Sequence, residues 1–370
     1  MKAIAVTPTR KEVGIIEQPE PEIATPTQVK LRMLEAGVCG TDKEICAFEY
    51  GTPPAGSDHL VIGHESLGEV VEIGSQVKRV KVGDLVVPMV RRPCPHDDCV
   101  ACRSDRQDFC FTGDFKERGI KEQHGFMAQF VVDDEKYMNP VPKELRDVAV
   151  LVEPLTIAEK GLTQVWEVQQ RLPWGCPITA GKAKAHCHRA IVLGAGPVGL
   201  LGAMALMNYD FDTYVYARDP APNPKSALVE SIGAKYVSAK QISPDMLPEH
   251  IGNIDLVYEA TGASNLSFEI MKYLGTNGIF IFTGVPGRKA PVQVDTDLIM
   301  RNLVLKNQVV FGTVNAGRES FENSIRDIGT FTKRWPDAVK SLITGRFPMD
   351  AYSDLLLGRA GGIKNVIQLN

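Results

Sequence analysis

The stretch from 190 to 200, Ala-Ile-Val-Leu-Gly-Ala-Gly-Pro-Val-Gly-Leu, leaves this chain the fewest options. Its first four residues, Ala190 to Leu193, read as a buried parallel strand. The strand ends in Gly194-Ala195-Gly196-Pro197-Val198-Gly199, and the apolar run Val198 to Met207 reads as a helix. In that strand–turn–helix setting Gly194 permits the tight turn. Gly196 lets a pyrophosphate approach the backbone, and Gly199 lets the helix sit close to its strand. The helix N-terminus offers unpaired N–H groups and partial positive charge to the phosphate. The alternative is an ordinary glycine turn in an α/β unit. The next strand ends about 20 residues on, as a dinucleotide site requires, at Tyr214 to Ala217 and is followed by Arg218-Asp219. A carboxylate there would hold a ribose 2′-hydroxyl, whereas arginine suits a 2′-phosphate. Arg218 points to NADP, and Asp219 keeps NAD open.

Further strand–helix alternations follow, with strands at 213–217, 234–238, 254–260, 278–283 and 308–312. They predict a doubly wound parallel sheet. Its strand ends at Thr261-Gly262 and Gly284-Val285 lie at the edge where such sheets bind ligands; the plain reading is strand-to-helix turns. The first 150 residues differ: short alternating strands at 29–34, 66–72 and 84–89, separated by glycines, predict a mainly antiparallel β domain of barrel type. Glu153-Pro154 opens an amphipathic helix with Leu155, Ala158, Leu162, Val165 and Val168 on one face. Pro173, Gly175, Pro177 and Gly181 mark 171–188 as the domain junction. The expected division is 1–187, completed by a tail at 313–370, and 188–312. The tail carries helices around 321–331 and 352–357 and a final strand at 364–368.

The formal net charge is −4, with both signs mixed and no long basic run, so nucleic acid is not expected as a partner. Met1 to Val6 reads as a strand rather than a signal peptide, and no apolar run reaches the ~20 residues that span a bilayer. A cytoplasmic protein without membrane contact is expected.

Four of the eight cysteines crowd together as Cys94-x4-Cys99-x2-Cys102-x7-Cys110. Four thiolates suit a closed, structural tetrahedral zinc site, with the intervening His96 a spectator. A second set is dispersed: Cys39 in Gly37-Val38-Cys39-Gly40-Thr41-Asp42, then Gly63-His64-Glu65, then Glu153-Pro154. A lone Cys is more often core and a lone His more often hydrogen-bonded structure, so spacing alone assigns none of these to a metal. Cys176, His186, Cys187 and His188 cluster near the junction and are left as loop residues.

These motifs together resemble the zinc-dependent medium-chain dehydrogenases, an α/β family with a GroES-like β-barrel catalytic domain and a Rossmann domain. Within it the chain is most similar to the glucose (aldose) dehydrogenases, through Arg91-Arg92-Pro93, Arg118-Gly119-Ile120, His124-Gly125-Phe126-Met127, Tyr258-Glu259-Ala260-Thr261-Gly262, Gly284-Val285-Pro286 and Gly312-Thr313-Val314-Asn315. The resemblance implies a second, catalytic zinc on Cys39 and His64, with Glu65 and Glu153 as carboxylate ligands or near neighbours. It implies proton transfer by Thr41, whose plain reading is a helix N-cap. It implies sugar contacts from Thr41, Glu117, Glu153 and Asn315, and cofactor contacts from 194–199, Arg218, Thr261, Gly284, Val285 and Asn315. Glu117 reads otherwise as a solvated charge and Asn315 as a turn residue. Val90 stands where some relatives carry an asparagine that contacts sugar. The expected activity is oxidation of an aldose at its anomeric carbon with NADP, NAD also serving. A homo-oligomer, dimer or tetramer, is expected. Competing readings are a zinc dehydrogenase of another polyol, sugar or alcohol, and a catalytically silent nucleotide-binding protein.

Overall fold

The computed structural model describes residues 1–287 and 291–369. The chain forms two compact units, Met1–Thr156 with Asn315–Asn370, and Ile157–Val314.

The first unit is built on strand Gln28–Gly37. Val29, Leu31 and Met33 alternate with Lys30 and Arg32, so one face is core and the other polar. This strand pairs antiparallel with Glu65–Ile73, Phe130–Asp134 and Lys364–Gln368. Leu85–Pro88 and Met138–Val141 extend the sheet on one side and Ile343–Pro348 on the other, giving seven strands. The core draws together Ile4, Leu31, Met33, Val86, Phe126 and Ile367. The tail therefore rejoins the first unit, as expected, with Ile367 opposite Ala36. Its pairing with Ile343–Pro348 is parallel, an exception within the antiparallel pattern.

The second unit holds a six-stranded parallel sheet. Its order is Lys235–Ser238, Asp212–Ala217, Arg189–Leu193, Leu256–Glu259, Ile279–Phe282 and Val309–Gly312. The order reverses at Arg189–Leu193, the strand that enters the glycine turn. Ala190 to Leu193 are buried, as a strand covered on both faces must be.

The expected division at 187/188 differs from these units, which meet at 156/157 and 314/315. Helix Val152–Gln169 runs across the first boundary. From Ile157 onward it belongs with the parallel sheet; a methyl added at Gly161 would lie 3.6 Å from Ile281 and 3.9 Å from Tyr258. Leu155, Ala158, Leu162 and Val165 are buried on it as predicted, while Val168 is exposed. Nor is 171–188 a free linker. Trp174 stacks on His188 with ring centroids 4.2 Å apart, Ala185 is buried, and Cys176 is joined to Cys187 by a disulfide. Glycine and proline there shape a loop anchored by its aromatic and apolar residues.

His124 gives the first unit a pH-dependent brace. Its Nδ1 accepts the Val61 N–H at 3.1 Å, which only the neutral ring allows. Burial, then His59 and Arg118, lower its pKa from 6.5 to about 4. The unfolded chain thus takes up this proton first as pH falls, and the contribution present above about pH 6.5 is lost toward pH 4. The melting temperature is expected to fall across that window. His124→Asn, which keeps an acceptor near the Nδ1 position, is expected to flatten the fall in pH-resolved thermal scans.

Candidate functional site

Cys39, His64 and Glu65 converge in the first unit, their ligand atoms all within 4.8 Å of one another. Cys39 is the N-cap of helix Gly40–Cys46, and its N–H donates to Asp42 Oδ2 at 2.9 Å. Thr41 therefore lies in the first turn and is not the cap, because Cys39 takes that position. His64 is held by backbone packing. Gly63 adopts a φ of +91°, and a methyl at Gly119 would fall 2.3 Å from the Gly63 carbonyl oxygen. Glycine at both positions lets the two turns stack. Asp42 Oδ1 lies 3.3 Å from His64 Nδ1 without an aligned hydrogen bond.

The electrostatics call for a cation. Burial works against the imidazolium, yet Asp42 and Cys39 outweigh it and hold the His64 pKa well above its ordinary value. Glu65 is buried, and its Oε2 accepts from Lys364 Nζ at 2.5 Å. Lys364 also donates to the Val38 carbonyl at 3.2 Å. Glu153, buried in the first turn of its helix, lies outside the three-residue cluster. Burial pushes its carboxyl up to about 7; Glu65 and Asp42 add to the rise, against His64 and Lys364. A thiolate, an imidazole and a carboxylate, with a second carboxyl close enough to feel them, are a donor set that suits zinc.

Glu117 is buried rather than solvated. It sits on strand Lys116–Arg118 opposite Arg91. Its Oε1 accepts from Arg91 Nε at 3.0 Å, Arg91 Nη2 at 2.9 Å and Asn315 Nδ2 at 3.0 Å. The Arg91 guanidinium lies 3.6 Å from the Phe115 ring centroid. Oε2 takes no hydrogen bond from the described residues. Asn315 adopts a φ of +58° and is buried, a conformation asparagine tolerates better than most residues. The turn after Glu117 is the one whose Gly119 stacks on Gly63, the residue before His64.

The four loop cysteines also converge within 4.8 Å, and the Cys99 and Cys110 sulfurs are 3.8 Å apart. Tetrahedral zinc with bonds of ~2.3 Å sets sulfurs about 3.8 Å apart. Burial raises the Cys102 thiol to about 12, so a bound cation is what would bring it to the thiolate. His96 instead pairs with Asp114 at 2.8 Å on the surface.

In the second unit Gly196 caps helix Pro197–Asn208, with Pro197 in the first turn. A methyl at Gly199 would come 2.2 Å from the Gly194 carbonyl oxygen, which accounts for that glycine as a close approach. One at Gly196 would meet nothing within 4 Å, so the space a phosphate needs is open. Arg218 follows strand Asp212–Ala217, its side chain 85% exposed and its Nε 3.6 Å from Asp219. Gly284 is half-buried, and Thr261 and Val285 are exposed at the same sheet edge.

Sequence reasoning missed Lys364, Asp42 and Arg91 as supports of these groups. Arg91 and Asp42 carried a signal, as parts of the Arg91-Arg92-Pro93 and Gly37–Asp42 stretches. Lys364 begins the last strand, and nothing local says that it meets Glu65.

Comparison with known proteins bears on both units. The profile described as "Glucose dehydrogenase C-terminus" matches residues 146–369, and "Alcohol dehydrogenase GroES-like domain" matches 25–143. A glucose 1-dehydrogenase of Methanocella arvoryzae is 38% identical over 372 residues, covering all of this chain and 99% of its own. One from Thermoproteus tenax is 38% identical with the same coverage. Among solved structures, the Haloferax mediterranei glucose dehydrogenase in complex with NADP, Zn and gluconolactone superposes with a TM-score of 0.88. It is 31% identical, over 100% of this chain and 99% of that one.

Proposed function

The chain belongs to the glucose dehydrogenase branch of the zinc-dependent medium-chain dehydrogenases, and from that premise we propose that it oxidises the anomeric carbon of glucose to the lactone, with NADP⁺ as acceptor and NAD⁺ also used. The full-length identity to several glucose 1-dehydrogenases carries this reading. The gluconolactone complex of the Haloferax relative supports the substrate class.

Cys39 and His64, with Glu65 or Glu153, are the residues that would hold the catalytic metal. Zinc held there would supply Lewis acidity to the sugar hydroxyl, and a nicotinamide cofactor at the glycine turn Gly194–Gly199 would supply the hydride acceptor. Thr41, in the first turn after Cys39, passes the hydroxyl proton onward. Glu117 Oε2 accepts from a ring hydroxyl while Arg91 and Asn315 keep its carboxylate in place. Glu153, buried close to these groups, is the second carboxylate that would serve the metal or a sugar hydroxyl. Cys94, Cys99, Cys102 and Cys110 would hold a second, structural zinc.

The test is reduction of NADP⁺ and NAD⁺ against glucose, galactose, xylose, sorbitol and a simple alcohol, with and without zinc. Strong zinc-dependent activity on glucose with NADP⁺ is expected. Activity confined to sorbitol or the alcohol would overturn the aldose reading. Arg218→Ala is expected to raise KM for NADP⁺ by roughly fivefold to tenfold, the loss of one exposed charge–phosphate contact, with little change for NAD⁺. Equal effects on both cofactors would count against Arg218 as the 2′-phosphate group.

No described helix is long and apolar enough to cross a membrane. We place the enzyme in the cytoplasm, with its cofactor pool, and as a homo-oligomer. Strand Val309–Gly312 ends the parallel sheet, with one partner among the described residues. Met300, Val304, Leu305 and Val314 are exposed beside it in sequence. A second copy covering that edge accounts for an apolar surface that would otherwise invite aggregation. A monomer by light scattering would contradict this.

A further inference from the structure

We propose that Glu259 is the positioning residue for the nicotinamide end of the cofactor; the proposal rests on the reading of Thr261, Gly284 and Val285 as cofactor contacts. Glu259 ends strand Leu256–Glu259 and is fully buried. No Lys or Arg among the described residues pairs with it. Its carboxylate is met by backbone amides and one hydroxyl. Oε1 accepts from the Thr261 N–H at 2.6 Å, the Thr261 hydroxyl at 2.6 Å and the Gly262 N–H at 2.8 Å. Oε2 accepts from the Gly284 N–H at 3.1 Å. One side chain therefore binds the loops that leave two neighbouring strands. The Glu259 carbonyl adds to the link, accepting from the Thr283 N–H at 3.1 Å and the Thr283 hydroxyl at 2.6 Å.

The two loops also touch. A methyl at Gly284 would lie 2.1 Å from the Gly262 nitrogen and 2.8 Å from Glu259 Oε2. One at Gly262, where φ is +66°, would lie 2.7 Å from the Val285 carbonyl oxygen. Glycine at both positions allows a contact that the carboxylate then secures.

Holding a buried carboxylate on backbone amides and one hydroxyl, with no cation among the described residues, is an expensive way to tie two loops, since paired neutral groups would serve packing as well. What the carboxylate adds is direction. In a trans peptide the C=O points opposite to the N–H. Turning the N–H groups of Thr261, Gly262 and Gly284 inward turns the carbonyls of Ala260, Thr261 and Thr283 outward. No hydrogen bond from the described residues reaches any of the three. These are acceptors left over at the ligand-binding edge of the sheet, the Ala260 oxygen 3.6 Å from where a methyl on Gly194 would lie. The complement is a ligand end rich in donors, which a nicotinamide carboxamide and its ribose hydroxyls provide.

The experiment is steady-state kinetics of the full-length holoenzyme carrying Glu259→Gln, with NADP⁺ and NAD⁺, on glucose and on glucose deuterated at C1. The amide keeps the size of the side chain but sets an N–H against a backbone N–H, which releases one loop. KM is expected to rise by roughly 10–100-fold for both cofactors, as loss of hydrogen bonds to a charged group implies. The NADP⁺/NAD⁺ ratio, the KM for glucose and the zinc content should stay as in the wild type. The deuterium effect on kcat should grow as hydride transfer slows. KM does not depend on the folded fraction, so a purely structural role would lower the melting temperature and leave KM unchanged; that result overturns the proposal. Glu259→Asp, which keeps the charge but cannot span both loops, is expected to show the same rise in KM. Failure of both variants to fold would also overturn it, in favour of a structural role. Wild-type enzyme that binds no NADPH by fluorescence titration would sink the cofactor reading of this edge itself, a failure distinct from unchanged KM in the variants.

Discussion

A Cys39→Ala protein is expected to lose at least about 10³-fold in kcat/KM while its thermal transition stays close to that of the wild type. Loss of a metal that polarises the reacting oxygen removes several kcal/mol of transition-state stabilisation, and each 1.4 kcal/mol is about tenfold. The fold should tolerate the change because most of what Cys39 contributes locally is backbone. Its N–H to Asp42 Oδ2 bond does not need the sulfur, and only the weak half of the capping box, from the Asp42 N–H to the Cys39 side chain, is lost. His64→Ala should behave alike, since Gly63 and Gly119 hold that turn by backbone contact. Initial rates, thermal scans and metal analysis check this together, with bound zinc falling from about two per chain to about one. Normal turnover by Cys39→Ala would remove the catalytic-zinc assignment.

Cys102→Ala should do the reverse: the melting temperature falls by about 10 °C or more, and activity is lost along with the fold. In the loop from 94 to 110 the cysteines form the apolar centre. Its buried apolar cluster consists of Cys94, Cys99 and Cys102, its one α-helix is the four-residue Val100–Arg103, and Val100 and Phe109 face solvent. Loss of a structural metal is among the few single changes that cost more than about 4–5 kcal/mol, and a domain of this size loses about 2–4 °C per kcal/mol. Residual activity per folded molecule, measured at low temperature, separates this from a catalytic role. A Cys102→Ala protein with unchanged stability would show that the four thiols hold no structural metal.

Much of the fold was legible because it is written in local periodicity. Buried parallel strands read as short apolar runs, and the strands at 190–193, 213–217 and 308–312 were found within a residue of their observed bounds. The four-cysteine loop was legible because its ligands share one short segment. At 171–188 glycine and proline report on turns, but what anchors the segment depends on what it packs against, here Trp174 on His188. Thr41 was offered as a cap because threonine favours that position, yet the structure gives the cap to Cys39.

The sequence by itself determined the class of the protein: a glycine-rich turn on a parallel sheet, a β domain completed by the tail, and one cluster of four cysteines. Each rests on residues within a few turns of one another, where spacing alone dictates geometry. Only the tertiary structure decided how the dispersed groups meet. Cys39, His64 and Glu65 share a point because Gln28–Gly37 pairs with Glu65–Ile73, through two register shifts, so that Gly37 lies opposite Glu65. Lys364 reaches Glu65 because the last strand joins the other side of Gln28–Gly37. Glu117 is charged and buried because Arg91 and Asn315, far from it along the chain, arrive to satisfy it. Burial and charge compensation are properties of contacts between distant segments, and a one-dimensional pattern carries no record of which segments meet.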